Sequence, residues 1–478
     1  MSIKIQRQKE KELKEIQKLE RELARPRGNT YLWYLLFVIT IVYIADEITS
    51  TIGNQMSSVI AQNLFAPVFG TEFAVARMGA FGAFALIGTF GSFLYKPLSD
   101  KYGRKPFLII NTIGMGAAMI VISLSYSIPV YILGATMVSF FIPHDVQMLY
   151  LMESVPAKRR VTIYAVIKAI TTLFVILIPM LRNLLMGSDI SRWHNVYMVL
   201  GLFAVVIAFI AAVGIRETEP FMRRRIAYLK QSDEERKNAK EDKSGADANG
   251  GLGAAFRYGM RNKQLRWLLI GGGFAMWGSL MTTNYEAVMS QGYMTGFMAS
   301  GMEMEAARVA AVPRVTSALI LFPVGQALLT AIQGFVSDRF GRKQTVAVMG
   351  GTALLCYVTF FMGANAGWNP YLIGFLSGCA IGAYWGCMDT CGGIMCTEST
   401  PTNLRASIMS VQPLVAAVCT VFVGVLSAIL TNIMGDAYLG PVNMIIAVPG
   451  MLIGILMILF KVRETKGVDL NCVTGREE

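Results

Sequence analysis

The sequence is poor in charged residues. Asp, Glu, Lys and Arg make up 15% of its 478 residues, and 54% of the residues are hydrophobic. A soluble globular domain carries about a quarter charged residues. The shortage of charge excludes an ordinary soluble chain, because a soluble protein of this length would divide into domains with polar surfaces.

Histidine is scarce and cysteine is confined to one region. The chain has two histidines, His144 and His194, and all seven cysteines follow residue 355. We therefore predict neither a metal site nor a disulfide framework. Cys387, Cys391 and Cys396 share one face of a predicted helix and are interpreted as small packing residues. The sequence also lacks a phosphate-binding loop and a catalytic cluster, so we predict no enzyme activity and no catalytic residue.

Long apolar runs dominate the chain. "YLWYLLFVITIVYIADEITSTIG" and "GLFAVVIAFIAAVGI" have the length or density of membrane-spanning helices. We predict twelve spans, numbered 1 to 12, at approximately 31–53, 77–99, 106–126, 129–152, 162–185, 195–215, 266–290, 315–337, 344–364, 370–396, 406–430 and 441–462. The polar leader before span 1 has no apolar core with a cleavage site, so we expect no cleaved signal peptide.

The positions of the basic residues predict the orientation. The N-terminal tail, alternate loops and the C-terminal tail hold 37 of the 43 Lys and Arg residues. The six others are Arg77, Lys168, Arg182, Arg192, Arg308 and Arg314. Basic residues on alternate loops indicate the cytoplasmic side. The net charge of +12 therefore indicates the orientation of the chain in the membrane and not nucleic-acid binding. We predict that both termini are cytoplasmic and that the protein lies in the cell membrane.

The chain contains two similar halves. "SDKYGRK" at 99–105 recurs as "SDRFGRK" at 337–343, "ESVPAKRR" at 153–160 matches "ESTPTNLR" at 398–405, and "RET" at 216–218 recurs at 463–465. The sequence predicts an all-α polytopic membrane protein with twelve transmembrane helices in two pseudo-symmetric six-helix bundles. Its predicted parts are a cytoplasmic tail (1–30), the N-terminal bundle (31–215), a cytoplasmic linker (216–265), the C-terminal bundle (266–462) and a C-terminal tail (463–478). Such repeats are typical of secondary transporters, which bind solute between the halves.

The repeated patch resembles the loop between helices 2 and 3 of the major facilitator superfamily, with the pattern G-x-x-x-D-[RK]-x-G-[RK]-[RK]. The second copy matches fully, whereas Lys96 replaces the leading glycine of the first copy. The other anchors are similar to the sugar-porter branch and the related organic-ion transporters. These carry Glu, six residues and Arg after helices 4 and 10, and a P-E-S-like or P-E-T-K-G segment after helices 6 and 12. The resemblance implies transport by alternating access.

The resemblance also implies a cytoplasmic gate that stabilises the outward-facing state. The implied gating residues are Asp100, Gly103, Arg104, Glu153 and Arg160 in the first half and Asp338, Gly341, Arg342, Glu398 and Arg405 in the second. Glycine permits a tight reversal between helices, and Asp and Arg are tolerated at a helix end when they are paired. The alternative is that these basic loops only orient the chain. Since Lys96 prevents close packing of helix 2, we expect a looser gate in the first half.

Ionisable side chains inside the spans are candidates for substrate binding and proton coupling, because a charge within a bilayer is costly. They are Asp46 and Glu47 on span 1, His144 and Asp145 on span 4, Lys168 on span 5, Glu286 on span 7 and Asp389 on span 10. The repeat places Glu286 opposite Glu47. In the proton-linked sugar porters that the sequence resembles, an acid near Asp46 carries the proton. The alternative for each acid is a hydrogen-bonded group near a helix end.

Two of these groups are predicted to pair. Asp145 and Lys168 both lie about 12 Å above the cytoplasmic ends of their helices, and consecutive helices are usually neighbours. The second half has no base at the equivalent place, so Asp389 is predicted to lack a partner and to exchange a proton near neutral pH. Trp277 and Trp385 are further candidates for lining a cavity, and Tyr285 for supplying a hydroxyl group.

These features predict a secondary active transporter of a small polar organic solute, most simply a proton symporter that works as a monomer. The proton gradient would supply the energy, and no cofactor or nucleic acid is expected. The solute remains open among sugars, organic cations, zwitterions and carboxylates. Span 5 lacks the glutamines of sugar porters. The alternatives are a facilitative uniporter, an antiporter of organic ions, or a non-transporting sensor on the same fold.

Overall fold

A computed structural model provides the structure of the chain. It describes residues 2–95, 98–142, 147, 150, 151, 153–155, 160–231, 252–400 and 405–466. These residues form helices joined by short turns and contain no β-strand. The membrane helices are named below after the predicted spans that they form.

The helices follow the order of the predicted spans. In the first half, span 1 consists of Asn29–Gln55 with Ser57–Phe69, and span 2 of Ala74–Gly82 with Ala85–Tyr95. Span 3 is Arg104–Ser123 and span 4 is Ile128–Phe141. Span 5 consists of Arg160–Phe174, Leu177–Leu181 and Arg182–Met186, and span 6 is Trp193–Gly214. In the second half, span 7 consists of Lys263–Ala275, Met276–Ser279, Leu280–Thr283 and Tyr285–Ala299. Span 8 is Met304–Phe340 and span 9 is Arg342–Asn365. Span 10 consists of Pro370–Met388, Asp389–Met395 and Cys396–Glu398, span 11 is Arg405–Met434, and span 12 is Leu439–Lys461. The longer described helices outside the spans are Ser2–Leu23, Glu219–Lys230 and Leu252–Arg261, and shorter ones lie at Leu98–Tyr102, Ile190–Arg192 and Asp436–Tyr438.

Ten of the described helices are long and apolar enough to cross a membrane. The two other spans are span 4, described as a helix over Ile128–Phe141, and span 7, which is broken into shorter pieces. The count is consistent with twelve spans. Span 8 is longer than the predicted 315–337, because its helix runs over 37 residues. About 20 residues cross the hydrocarbon layer, so this helix extends beyond it.

Two of the longer helices outside the spans define one face of the molecule. Ser2–Leu23 packs against Glu219–Lys230, and the ion pairs Arg225–Glu15 and Lys230–Glu20, both 2.8 Å, join them. We call the membrane face that carries these two helices the tail side, and the opposite face the far side. Each odd-numbered span runs from the tail side to the far side.

Spans 1 and 7 are interrupted at equivalent positions. The helices break at Met56 (φ −118°, ψ 8°) and at Asn284 (φ −121°, ψ 15°). Interrupted membrane helices commonly build binding sites in transporters, because the break frees backbone groups. Judged from the two breaks, Glu286 corresponds to Ser58. The offset of the repeated motifs instead places Glu286 at the position of Glu47, so the two breaks do not follow that offset.

Glycines allow close packing inside the second half. Gly374, Gly378 and Gly382 of span 10 lie directly against the backbone of span 8, where a β-carbon at Gly378 would overlap the carbonyl oxygen of Phe322. Small residues at this spacing let membrane helices approach closely. The two halves meet where span 1 contacts span 7, span 2 contacts span 11, and span 5 contacts span 8. These three contacts place the candidate residues.

Candidate functional site

A fully buried ion pair joins the halves near the far side. Arg182 on span 5 places Nη1 2.9 Å from Oε1 of Glu286 on span 7, and both side chains are 0% exposed. The same guanidinium donates to the carbonyl oxygen of Gln55 at 2.6 Å, at the end of the first helix of span 1. Arg182 also begins a π-helical turn, a feature that is frequent at functional sites.

Span 1 supplies the remaining partners of Glu286. Its carboxylate accepts hydrogen bonds from Ser57 Oγ at 3.0 Å, from Ser58 Oγ at 2.6 Å and from the Ser58 backbone N–H at 2.7 Å. A carboxylate at the start of the helix Ser57–Phe69 is favourable, because the first N–H groups of a helix have no partner within it. Glu286 therefore ties together spans 1, 5 and 7, which belong to different halves.

A second carboxylate joins the halves on the far side. Asp436 lies between spans 11 and 12, and its side chain accepts from the backbone N–H groups of Val75 at 2.7 Å and Ala76 at 2.9 Å. These groups belong to the first turn of span 2. The backbone N–H of Asp436 also donates to the carbonyl oxygen of Glu72 at 2.7 Å. We call the Arg182–Glu286 pair and the Asp436 cap together the far-side latch.

A cluster of charged residues occupies the interior. Lys168 on span 5 forms an ion pair with Glu47 on span 1, and Asp46 beside it is fully buried. The charge of Lys168 also acts on Asp389, which lies on span 10 in the other half. The side chains of Asp389 and Lys168 both reach solvent. The charge of one lysine therefore acts on an acid in each half, and both Lys168 and Asp389 are at least partly exposed.

This arrangement adds a pair that the sequence did not predict. Among the described residues Lys168 pairs with Glu47, and the expected pair of Lys168 with Asp145 stays a prediction. His144 and Asp145 lie outside the described residues. Asp389 was expected to lack a partner, and that stays a prediction; the charge of Lys168, on the other half, acts on it.

On the tail side, the first copy of the repeated patch forms a compact network. Arg104 is 2% exposed and lies 3.6 Å from Glu153, and its Nη1 donates to Ser99 Oγ at 2.9 Å. Thr218 donates to the same Glu153 at 2.6 Å. The carboxylate of Glu217 accepts from the backbone N–H groups of Arg104 and Lys105, both at 3.1 Å, so it caps span 3.

The second half repeats this network. Arg342 lies 3.1 Å from Glu398 and donates to Ser337 Oγ at 2.9 Å. Thr465 donates to Glu398 at 2.6 Å, and Glu464 caps span 9 by accepting from the N–H groups of Arg342 at 2.8 Å and Lys343 at 3.0 Å. The repeated "RET" segments thus bind the repeated patches, through Glu217 and Thr218 in the first half and through Glu464 and Thr465 in the second. The sequence signal was the repeat of "RET" itself, to which no role was assigned.

The contacts described above for each network lie within one half. Gly103 and Gly341 turn the chain ahead of the capped helices with φ of 113° and 110°, which other residues rarely adopt. The side chains of Asp100, Arg160, Asp338 and Arg405, predicted to belong to the gate, lie outside the described part of the structure, as does Lys96.

The two capping carboxylates differ in their pKa. Burial raises the pKa of Glu217, and hydrogen bonds from the N–H groups of Thr218, Lys105 and Arg104 offset this only in part. Burial also acts to raise the pKa of Glu464, but four backbone N–H groups outweigh it and hold the pKa below the usual 4.5. The ionised form is therefore favoured by the fold at Glu464 and disfavoured at Glu217.

This difference predicts opposite responses to neutralisation. At pH 7, Glu464→Gln should lower the Tm of the purified protein by a few degrees, because it removes a carboxylate that the fold stabilises. The stability contributed by a group with a lowered pKa is present above 4.5 and is lost as the pH falls. The gap between Glu464→Gln and the wild type should therefore shrink in acid. Glu217→Gln is the matched control and should not lower the Tm at pH 7; an equal loss in both variants would contradict this account.

The aromatic candidates occupy packing positions. Trp277 contacts Phe422 of span 11 at 5.9 Å between ring centroids. Tyr285 is 1% exposed, and its ring stacks on Phe322 at 4.7 Å. Trp385 is 42% exposed and lies one helical turn from Asp389 on span 10. Of the three, Trp385 is therefore the one that lies exposed beside Asp389.

The sequence model of the Major Facilitator Superfamily matches residues 33–412. The chain belongs to this superfamily. It is accordingly an integral membrane transporter of small solutes and not an enzyme. Comparison of its sequence with curated proteins finds no match.

Solved structures of this superfamily have the same fold. A D-xylose–proton symporter is 15% identical with a TM-score of 0.63, over 94% of this chain and 100% of that one. The inward-open xylose transporter XylE from E. coli is 16% identical with a TM-score of 0.64, over 92% and 98%. The nucleoside transporter NupG is 14% identical with a TM-score of 0.62, over 90% and 100%. At these identities the likeness establishes the superfamily fold alone.

Proposed function

We propose that this transporter is a proton-coupled symporter of a small polar organic solute. The observation that carries the proposal is the charged cluster: Lys168 forms an ion pair with Glu47 of its own half, and its charge acts on Asp389 of the other half. An acid that faces a base across the two halves links its own protonation to their relative position. A proton symport named for one structural neighbour supports the same reading.

The cluster suggests how a proton drives the cycle. Ionised Asp389 attracts Lys168 and favours closure of the halves around the cluster, whereas protonated Asp389 releases it. A proton taken up from the far side together with solute would allow the cluster to separate. Release of both on the tail side restores the attraction and returns the empty carrier. Asp46 and Glu47 keep the charge of Lys168 balanced throughout.

The two gates have different chemistry in this proposal. The far-side latch holds the halves together directly, so it closes the far side. The tail-side networks of Arg104 with Glu153 and Arg342 with Glu398 fix the helix ends of each half as rigid units. We assign the tail side to the cytoplasm, because the basic residues concentrate there. The protein then works as a monomer in the cell membrane with both termini inside, without a cofactor.

A thermal-shift panel tests the binding step. Purified protein is mixed with sugars, nucleosides, organic cations and carboxylates at pH 5.5 and at pH 7.5, because a ligand that binds the folded state raises its Tm. One solute class should stabilise the protein more at the lower pH, where the coupling acid is protonated. Stabilisation that is equal at both values would favour a facilitative uniporter and contradict proton coupling.

A further inference from the structure

Five basic residues surround the tail-side ends of spans 7 and 12. They lie on the helix Leu252–Arg261 that precedes span 7, in the first turn of span 7 and at the end of span 12. We call them the basic patch: Arg257, Arg261, Lys263, Arg266 and Lys461. We propose that the basic patch binds the headgroup of an anionic phospholipid in the tail-side leaflet of the membrane. This proposal does not depend on the coupling of transport to protons.

The helix Leu252–Arg261 lies at the level of the membrane surface. Its Gly259 faces the bundle, because a β-carbon built there would lie 2.9 Å from Leu269 Cδ1 on span 7 and 3.4 Å from Ile408 Cδ1 on span 11. Leu269 lies six residues, or about 9 Å, beyond the first residue of span 7. The helix therefore packs alongside the ends of the two spans and not above them. A helix in this position typically lies in the membrane interface with its charged face toward the lipid headgroups.

The charges of this helix point away from the bundle. Arg257 and Arg261 are four residues apart and share one face, which is opposite to the face of Gly259, and both side chains are exposed. Phe256 beside them is 47% exposed. An exposed phenyl ring is unfavourable in water and favourable at the boundary between headgroups and acyl chains. An exposed ring next to two exposed cations therefore matches a lipid, which offers both an apolar chain and a phosphate group.

A tryptophan holds the rest of the basic patch at the same level. Cζ of Arg266 lies 6.0 Å from the centre of the Trp267 ring, and Nζ of Lys461 lies 5.9 Å from it. The Trp267 side chain is half-buried and packs against the core. Tryptophan is enriched where a membrane helix crosses from the hydrocarbon layer into the headgroup region. The two cations are therefore held where phosphate groups lie.

The charge of the basic patch is not neutralised by the described part of the chain. The sequence contains no Asp or Glu between positions 252 and 285, and none of the five patch residues forms an ion pair with a described residue. By contrast, the tail-side helices Ser2–Leu23 and Glu219–Lys230 form ion pairs with each other. Four or more cations beside a membrane helix attract anionic lipids. Uncompensated charge therefore distinguishes the basic patch from the other tail-side helices and favours a negatively charged lipid as its partner.

Thermal unfolding in mixed micelles tests the proposal. Purified full-length protein is studied in micelles in which phosphatidylglycerol progressively replaces phosphatidylcholine, and the anionic lipid should raise the Tm. Arg257→Gln combined with Arg261→Gln should raise the phosphatidylglycerol concentration at half of the shift by roughly thirtyfold, because two cations at a membrane surface are lost. The same two residues replaced by lysine should keep most of the effect. Lys18→Gln combined with Arg21→Gln removes two exposed cations from another tail-side helix and should leave the titration unchanged.

Two results would overturn the proposal in this assay. They are a Tm that does not depend on the charge of the lipid, and an equal loss of the lipid effect in the two glutamine variants. Inorganic phosphate and glycerol 3-phosphate, added to phosphatidylcholine micelles, should leave the Tm unchanged. A rise from either that equals the rise from phosphatidylglycerol would show that the basic patch binds free phosphate and not a lipid.

Fluorescence quenching locates the lipid without a change to the basic patch. Brominated phosphatidylglycerol, diluted in phosphatidylcholine, should quench Trp267 more strongly than brominated phosphatidylcholine at the same fraction. The contribution of Trp267 is the difference between the wild type and Trp267→Phe. Equal quenching by the two brominated lipids would contradict the proposal, even if the glutamine variants fail to fold.

Discussion

Replacing Glu286 by glutamine should open the far side of the transporter. The variant removes the negative charge beside Arg182, whose side chain is 0% exposed. Removing one partner of a buried ion pair typically costs about 3–5 kcal/mol, because the other charge stays buried. If the open state lets water reach Arg182, a difference of about 3 kcal/mol shifts the equilibrium roughly a hundredfold toward it.

Distances between spin labels on the far side measure this shift. Labels at Thr71 and Ala437 flank the Asp436 cap on opposite halves, in a background without native cysteines. Glu286→Gln should add a population with longer distances, whereas Arg192→Gln, which breaks an exposed ion pair on the same side, should not. An unchanged distance distribution in folded Glu286→Gln would show that the pair does not hold the far side closed.

Replacing Asp389 by asparagine should uncouple transport from the proton gradient. The variant keeps the shape of the side chain but permanently mimics the protonated acid. The electrostatic attraction between residue 389 and Lys168 therefore no longer depends on protonation. With one proton per solute, a gradient of one pH unit supplies about 1.4 kcal/mol and sustains about tenfold accumulation. In Asp389→Asn this ratio should fall to about one, while exchange of solute between the two sides continues.

A pH-sensitive dye inside proteoliposomes measures the proton directly. Solute added outside should acidify the interior of vesicles with wild-type protein and leave the pH unchanged with Asp389→Asn. Asp189→Asn is the matched control, because Asp189 is exposed on a far-side turn, paired with Arg192. Normal acidification in Asp389→Asn would move the coupling role to Asp46 or Glu47.

The sequence predicted the parts of the fold that depend on local pattern. Apolar runs located the spans, because a membrane helix must satisfy its backbone internally and expose apolar side chains. The repeat located the tail-side networks, and Arg104 with Glu153 and Arg342 with Glu398 lie together in the structure. These pairs were predictable because each joins segments that the repeated motifs mark within one half.

Contacts between the halves were not predictable in this way. In the sequence Arg182 is distinguished only as a basic residue outside the tails and alternate loops. Its partner Glu286 lies 104 residues away in the other half. Which faces of spans 1, 5 and 7 meet depends on the rotation of each helix and on the break at Met56, and no local pattern encodes either. The pairing of Lys168 with Glu47 has the same cause.

Simultaneous recording of solute and proton flux tests the central claim most directly. Wild-type protein is placed in liposomes with an interior one pH unit more alkaline than the exterior, and the solute identified by the thermal-shift panel is added outside. The account predicts about tenfold accumulation of solute together with proton uptake that starts and stops with it. Rapid exchange of solute without accumulation and without proton movement would contradict the account and identify a uniporter.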